Sequence, residues 1–284
     1  MPALPVLVDP QWLQQHLQDA PVQFIDARFF LPTEGRDAAA EFRHGHLPKA
    51  IFFDIDTISD RDTLLPHMLP SPEVFSQYMQ ALGINSTDPI VCYDEGRFMG
   101  ACRAWWTFRA YGHSAVAVLD GGLPAWQAAG LPLATGPAAP PKPNTGFKTD
   151  FHPERLAYLS TVRQALEHAT AQVIDARPAE RFAGCVPEPR PGLRTGHMPG
   201  AINIPFTDLI TAQGRLADND HLKALFTAAG VDLSRPVITS CGSGVSAAVL
   251  LLALELLGHP QLALYDGSWA EWGSRDDTAI VEDI

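Results

Sequence analysis

The residue best placed to do chemistry is Cys241, in the run Val237-Ile-Thr-Ser-Cys-Gly-Ser-Gly-Val-Ser-Ala-Ala-Val-Leu-Leu-Leu. A short apolar strand pattern stops there at a glycine-rich turn, and a helical pattern begins near Ser246. Gly242 and Gly244 let the backbone curl around the sulfur, so that several main-chain N–H groups aim at it. The positive end of the following helix acts in the same direction. Both effects favour the thiolate, which is the attacking form. A cysteine that only fills space has no need of two nearby glycines. The other cysteines, Cys92, Cys102 and Cys185, lie far away and form no Cys-x-x-Cys pair, so neither a disulfide framework nor a zinc site is expected. His44 and His46 form a close histidine pair, but no further ligand stands near them, and a turn before a strand accounts for them. The chemistry to expect is nucleophilic, metal-free and thiol-based. Phosphoryl transfer at such a cysteine would need an arginine closing a Cys-x5-Arg cradle, and Ala247 stands at that position.

The elements that position Cys241 are legible because the chain repeats itself. Phe24-Ile-Asp-Ala-Arg28 returns as Val173-Ile-Asp-Ala-Arg177, and Gly45-His-Leu-Pro-Lys-Ala-Ile51 returns as Gly196-His-Met-Pro-Gly-Ala-Ile202. Pro89–Asp94 matches Pro236–Cys241, Leu119-Asp-Gly-Gly matches Tyr265-Asp-Gly-Ser, and Trp126 matches Trp272. Partners stand about 149 residues apart, the mark of a duplicated domain and not of a small-unit solenoid. Each half alternates strand-like and helical runs, the pattern of a parallel sheet flanked by helices. In the second half the strands expected are 172–175, 201–204, 236–240 and 261–265. The helices expected are 161–168 after a Ser160 cap, 221–229, and 246–257 ending at Gly258. Asp9-Pro10 supplies a cap and first-turn proline for a helix carrying Trp12, Leu13 and Leu17. The organisation expected is a domain at 1–130, an extended Pro-rich linker at 131–152, and a second domain at 153–284. Asp94 occupies the position of Cys241 in the first half, so only the second half carries the thiol.

Composition excludes several classes. A chain of 284 residues with 46% hydrophobic and 18% charged residues is a globular protein long enough for about two domains. A net charge of −12 argues against nucleic acid or an anionic membrane surface as partner. The longest apolar run, 247–254, is followed by Glu255 and is too short to span a bilayer. No secretion signal is read at the N-terminus, and a cytoplasmic location is expected.

These residues resemble the rhodanese superfamily over essentially the whole chain, as two tandem rhodanese-like domains of α/β class. The loop Cys241-Gly-Ser-Gly-Val-Ser246 is similar to that of the 3-mercaptopyruvate sulfurtransferases in that superfamily. Thiosulfate-specific members more often carry a cationic loop, which suits a small dianion. The resemblance implies a sulfurtransferase that moves sulfur from 3-mercaptopyruvate through a Cys241 persulfide to an acceptor, releasing pyruvate. The acceptor would be cyanide or a thiol such as thioredoxin or glutathione, and no metal or organic cofactor is implied. It also implies that Arg181 and Arg190 bind the substrate carboxylate, with Glu188 orienting or tempering Arg190. The active-site loop would comprise Gly242, Gly244, Val245 and Ser246. Asp56, His67 and Ser243 would form a hydrogen-bonded set that handles a proton; equally, Asp56 and His67 could serve only to hold structure together. A thiosulfate sulfurtransferase and a non-catalytic sulfur-binding module remain the alternatives. Met99 and Cys102 depart from an aromatic residue and a proline usual in relatives, and Cys102 and Cys185 are read as ordinary core or loop cysteines.

Overall fold

The structure is a computed structural model that describes residues 4–16, 22–138, 143 and 146–283. It divides into two compact units, one of Met1–Asp60, Leu69–His152 and Ala212–Arg215, the other of Arg61–Met68, Pro153–Thr211 and Leu216–Ile284. Among the described residues no helix is long and apolar enough to cross a membrane.

In chain order the first unit contains β1 (Leu7–Val8), α1 (Pro10–His16), β2 (Gln23–Asp26), α2 (Ala38–His44), β3 (Ile51–Phe52), α3 (Pro72–Ala81), β4 (Ile90–Tyr93), α4 (Met99–Ala110), β5 (Val116–Leu119) and α5 (Gly122–Ala128). The second contains β6 (Leu156–Ala157), α6 (Leu159–His168), β7 (Gln172–Asp175), α7 (Ala179–Phe182), β8 (Ile202–Asn203), α8 (Asn219–Ala228), β9 (Val237–Ser240), α9 (Ala247–Leu256), β10 (Leu262–Tyr265) and α10 (Ser268–Trp272). Each unit builds one five-stranded sheet, ordered β1-β5-β4-β2-β3 and β6-β10-β9-β7-β8. All strand pairs within these sheets are parallel. Strands buried on both faces need continuous apolar runs, and β4 and β9 are buried along their whole length.

Local chemistry sets most boundaries. Asp9 Oδ1 accepts the Trp12 N–H at 2.7 Å and starts α1 at Pro10; Leu17 lies outside the described residues. Asp218 accepts the His221 N–H at 2.9 Å, so α8 begins two residues before the expected 221. Ser160 does not cap α6. Tyr158 takes the N-cap position, because β6 ends at Ala157 and leaves a single residue before the helix starts. The expected strands at 201–204, 236–240 and 261–265 are trimmed at their ends to β8, β9 and β10. Helix α9 is buried at every position from Ala247 to Leu254 and packs on β9 and β10, so its apolar run is core.

The described parts of the Pro-rich segment do not hang free. Ala134 and His46 exchange backbone hydrogen bonds at 2.9 and 3.0 Å. Phe147 is buried against Phe75 and Phe108, and its carbonyl accepts from Ser76 Oγ and Gln80 Nε2. Apolar residues at both ends of the segment are drawn onto the first unit's core, which an extended spacer would leave in water. Residues 139–142, 144 and 145 lie outside the described residues.

The repeated sequence motifs have a repeated physical meaning. Arg28 is buried, bonded to Asp26 at 2.6 Å and to the Gly45 carbonyl at 2.9 Å. Arg177 makes the same pair of bonds, to Asp175 at 2.7 Å and to the Gly196 carbonyl at 2.9 Å. Each guanidinium ties the end of its strand to the Gly-His-x-Pro turn. Burial alone would push both groups down, but the adjoining carboxylates raise them, so they stay cationic.

The loop between β4 and α4 shows what this frame does with a negative group. Asp94, at the position of Cys241, is buried, and its carboxylate accepts the N–H groups of Gly96 (2.8 Å), Phe98 (3.2 Å) and Ala101 (3.2 Å). Burial is the larger influence and raises its pKa even against those bonds. The next residue, Glu95, is raised to about 7 by burial and by Asp94, with Arg97 opposing. Its Oε1 is paired with Arg97 at 2.6 Å, and among the described residues its buried Oε2 has no hydrogen-bond partner.

Two outcomes follow for stability. Gly100 lies in α4 where a Cβ would stand 1.7 Å from the Ala27 carbonyl oxygen. Backbone cannot yield as a side chain does, so Gly100→Ala should cost about 3 kcal/mol or more in denaturant unfolding. For Glu95, the native state holds a proton that the unfolded chain has released between pH 4.5 and about 7. Stability therefore falls as pH rises through that window. Glu95→Gln should flatten this part of the melting-temperature profile and stabilise the chain at alkaline pH relative to wild type.

Candidate active site

Strand β9 is the middle strand of its sheet, between β10 and β7, and Cys241 follows its last residue at the C-terminal end. Open parallel sheets bind ligands at that end. Cys241 is 2% exposed, and Ser243 and Val245 are also buried. Gly244 has φ +73°, in the left-handed region that favours glycine, and this turns the loop into α9. Among the described residues no acceptor is found for the N–H groups of Gly242, Ser243, Val245 and Ser246. Four donors within five residues of the sulfur are therefore available to a negative group, as in the Asp94 loop, where such donors are filled by a carboxylate.

Helix α10 clamps the loop from the side. The Trp269 N–H donates to the Cys241 carbonyl and the Ala270 N–H to the Gly242 carbonyl, both at 2.9 Å. The Ser268 hydroxyl accepts the N–H groups of Cys241 and Gly244, both at 3.1 Å, and donates to the Tyr265 carbonyl at 2.7 Å.

The two arginines singled out in the sequence converge on this loop. A Cβ placed on Gly242 would lie 3.1 Å from Arg181 Nη2 and 3.9 Å from Arg190 Nη1. Arg181 stands in α7, and its guanidinium forks onto Glu188 through Nη2 and, at 3.2 Å, through Nε. The Glu188 carboxylate also receives Arg177 Nη1 at 2.8 Å. Glu188 thus seats Arg181 and Arg177 together, and Arg177 is also the arginine of the repeated Ile-Asp-Ala-Arg motif.

Arg190 is met by a different group. Its Nη2 donates to His67 Nε2 at 3.0 Å. An arginine can only donate, so in this bond the ring nitrogen is the acceptor. His67 is buried, has φ +62°, and belongs with the second unit through the segment Arg61–Met68. Asp56 belongs to the first unit, where its N–H donates to Asp54 Oδ1 at 3.1 Å and its carbonyl accepts the Ser59 hydroxyl at 2.7 Å.

The remaining cysteines stand apart from this cluster in character. Cys92 and Cys102 are core residues of the first unit, and burial pushes both thiols well up. Met99 is buried in α4 beside them in sequence, and Cys185 is exposed. Among the described residues no group of three or more His, Cys, Asp or Glu side chains is arranged to hold a metal ion.

Ser268, Trp269 and the buried Arg177 support the site without standing out in the sequence. Arg177 lies 4.2 Å above the Trp269 ring, so the buried cation also braces α10. A signal for Ser268 was present: the repeat places a serine where the first half has Gly122.

Comparison with known proteins agrees with this geometry. A family model described as the rhodanese-like domain matches residues 9–129 and 159–275. The chain is 47% identical over 274 residues to the 3-mercaptopyruvate sulfurtransferase of Escherichia coli strain K12, covering 96% of each chain. It is 42% identical to the human protein of the same name, covering 98% of this chain and 94% of that one. The crystal structure of SseA from Escherichia coli, a 3-mercaptopyruvate sulfotransferase, superposes with a TM-score of 0.84 at 45% identity, over 93% of this chain and 98% of that chain. With a duplicated parallel sheet, a buried cysteine at the end of the middle strand, and two domain matches, the chain belongs to the rhodanese-like domain family.

Proposed function

We propose that the chain is a sulfurtransferase that takes sulfur from 3-mercaptopyruvate onto Cys241 and passes it to a thiol or to cyanide. The observation that carries the substrate assignment is the convergence of Arg181 and Arg190 on Gly242, the residue next to the sulfur. Two guanidinium groups can bind a carboxylate and an adjacent keto oxygen with directed, charge-assisted bonds. A loop of Gly242, Ser243, Gly244, Val245 and Ser246 adds no cation of its own, which fits a donor whose charge lies on a carboxylate away from the sulfur.

The Cys241 thiolate attacks the substrate sulfur, forming an S–S bond while the C–S electron pair departs on carbon as the enolate of pyruvate. Arg181 and Arg190 hold the carboxylate and meet the charge that develops on the enolate oxygen. The substrate thiol proton passes through the Ser243 hydroxyl to His67 and from there to the enolate carbon. The Arg190 N–H occupies the His67 Nε2 lone pair at 3.0 Å, so His67 takes that proton only as Arg190 turns from it to the substrate. Cys241 is left as a persulfide, and the N–H groups of the loop face its negative charge. A thiol of the thioredoxin or glutathione kind, or cyanide, then attacks the outer sulfur and returns the thiolate. The cycle uses no metal or organic cofactor, and four unpaired cysteines suit a reducing cytoplasmic compartment. In this reading residues 1–130 form a supporting domain without the thiol, 131–152 connect, and 153–284 form the catalytic domain.

Steady-state formation of pyruvate and thiocyanate with cyanide as acceptor tests the assignment. Mercaptopyruvate should be strongly preferred to thiosulfate, and Cys241→Ser should abolish turnover. Arg181→Ala and Arg190→Ala should each raise KM for mercaptopyruvate by about 10- to 100-fold, with smaller effects on kcat. A preference for thiosulfate, or wild-type KM in both arginine variants, would overturn the donor assignment; no turnover of either donor would favour a sulfur-binding role.

A further inference from the structure

We infer that Ser268 is a positioning residue for sulfur transfer, holding the Cys241 loop in its donor-presenting form through its hydroxyl. This rests on Cys241 being the sulfur carrier, but not on which donor loads it.

Ser268 is fully buried, and its backbone has φ +48°, a conformation that serine adopts rarely and glycine freely. The chain contains its own control at this place. Gly122 in the first unit has φ +54°, and the bond after it is the same: the Leu123 N–H donates to the Asp94 carbonyl at 2.8 Å, as Trp269 does to Cys241 at 2.9 Å. The backbone link from helix to loop therefore needs no side chain, and glycine meets the conformational demand without strain. A serine here carries a strain that glycine would not, and what it adds over glycine is its hydroxyl.

That hydroxyl holds the loop by two of its own donors. It gathers the N–H groups of Cys241 and Gly244 from opposite ends of a tight turn, with the Ser240 hydroxyl approaching at 3.5 Å, and is itself fixed by donating to Tyr265. In the first unit Asp94 organises its own loop by drawing three N–H groups onto its carboxylate. A cysteine at that position has no carboxylate oxygens with which to take up those donors. The organising acceptor has moved from the side chain at the reactive position to Ser268, on a neighbouring helix. The Cys241 and Gly244 donors are taken by oxygen, while the donors of Gly242, Ser243, Val245 and Ser246 stay available to the sulfur.

Three variants test this: Ser268→Gly, which adopts the backbone of Gly122 and removes the hydroxyl; Ser268→Ala, which removes the hydroxyl and keeps the strain; and Ser268→Thr, which keeps the hydroxyl. Ser268→Gly should melt within a few degrees of wild type. Its kcat should fall at least 10-fold with KM for the donor within about 3-fold, since Arg181 and Arg190 are untouched and a lost oxyanion-hole donor costs about 10²–10³ in rate. Alkylation of Cys241 by iodoacetamide, which involves no donor, should slow in parallel in the glycine and alanine variants, and the threonine variant should recover part of the rate. Wild-type kcat and alkylation in Ser268→Gly would overturn the inference, as would an equal loss in the threonine variant at unchanged melting temperature. If Ser268→Gly does not fold, wild-type kcat and alkylation in Ser268→Ala overturn it, and the parallel loss there supports it. Should the wild type use thiosulfate instead, the alkylation readout still decides, so failure of the donor assignment and failure of this inference are separable.

Discussion

The second unit depends on one buried cation. The Arg177 guanidinium has no exposed surface, yet it ends four lines of force. Asp175 fixes it to the tip of β7, the Gly196 carbonyl fixes the turn toward β8, Glu188 carries its charge out to Arg181, and the Trp269 ring beneath it braces α10. Through Trp269 the same cation reaches the Cys241 carbonyl. A buried charge is costly unless every side of it is met, and a cation met on all sides admits very few arrangements of its partners. The loop carrying the thiol and the loop carrying Arg181 are in this way referred to a single point.

The first unit shows how far the frame alone goes. Arg28, Asp26 and Gly45 reproduce the inner part of the Arg177 arrangement, and α5 returns a backbone bond to its loop as α10 does. The parts that differ are those with chemical consequence. Asp94 fills its own ring of N–H groups, and Gly122 replaces Ser268. Duplication thus left one loop satisfied from within and the other with donors in reserve. The acidic character of the first loop is self-limiting: Asp94 and Glu95 cannot share so dry a site as two free anions, and Glu95 holds its proton to about pH 7.

Much of this was legible in the residues. The repeat located both sheets, because Ile-Asp-Ala-Arg and Gly-His-x-Pro recur wherever the buried arginine must be met, and a cysteine between an apolar strand and two glycines stands out against the local pattern. What could not be read depends on contacts distant in sequence. Nothing near Glu188 in sequence shows that it bridges Arg177 and Arg181. The start of α6 is set by where β6 ends, which overrides the capping preference of Ser160. The Pro-rich segment has the composition of a spacer, but Phe147 finds an aromatic pocket against Phe75 and Phe108, and burial wins over stiffness. Ser268 was visible only as a mismatch between repeats, and its meaning came from the left-handed backbone that glycine fits more readily.

The central claim is that Cys241 carries the sulfur, and it can be observed without an acceptor. The protein would be mixed with 3-mercaptopyruvate alone, quenched, and digested for mass spectrometry while released pyruvate is measured. The account predicts one added sulfur atom on the peptide containing Cys241, matched by one pyruvate per chain, and its removal by cyanide. Pyruvate release with Cys241 unmodified, or sulfur found on Cys185 instead, would contradict it.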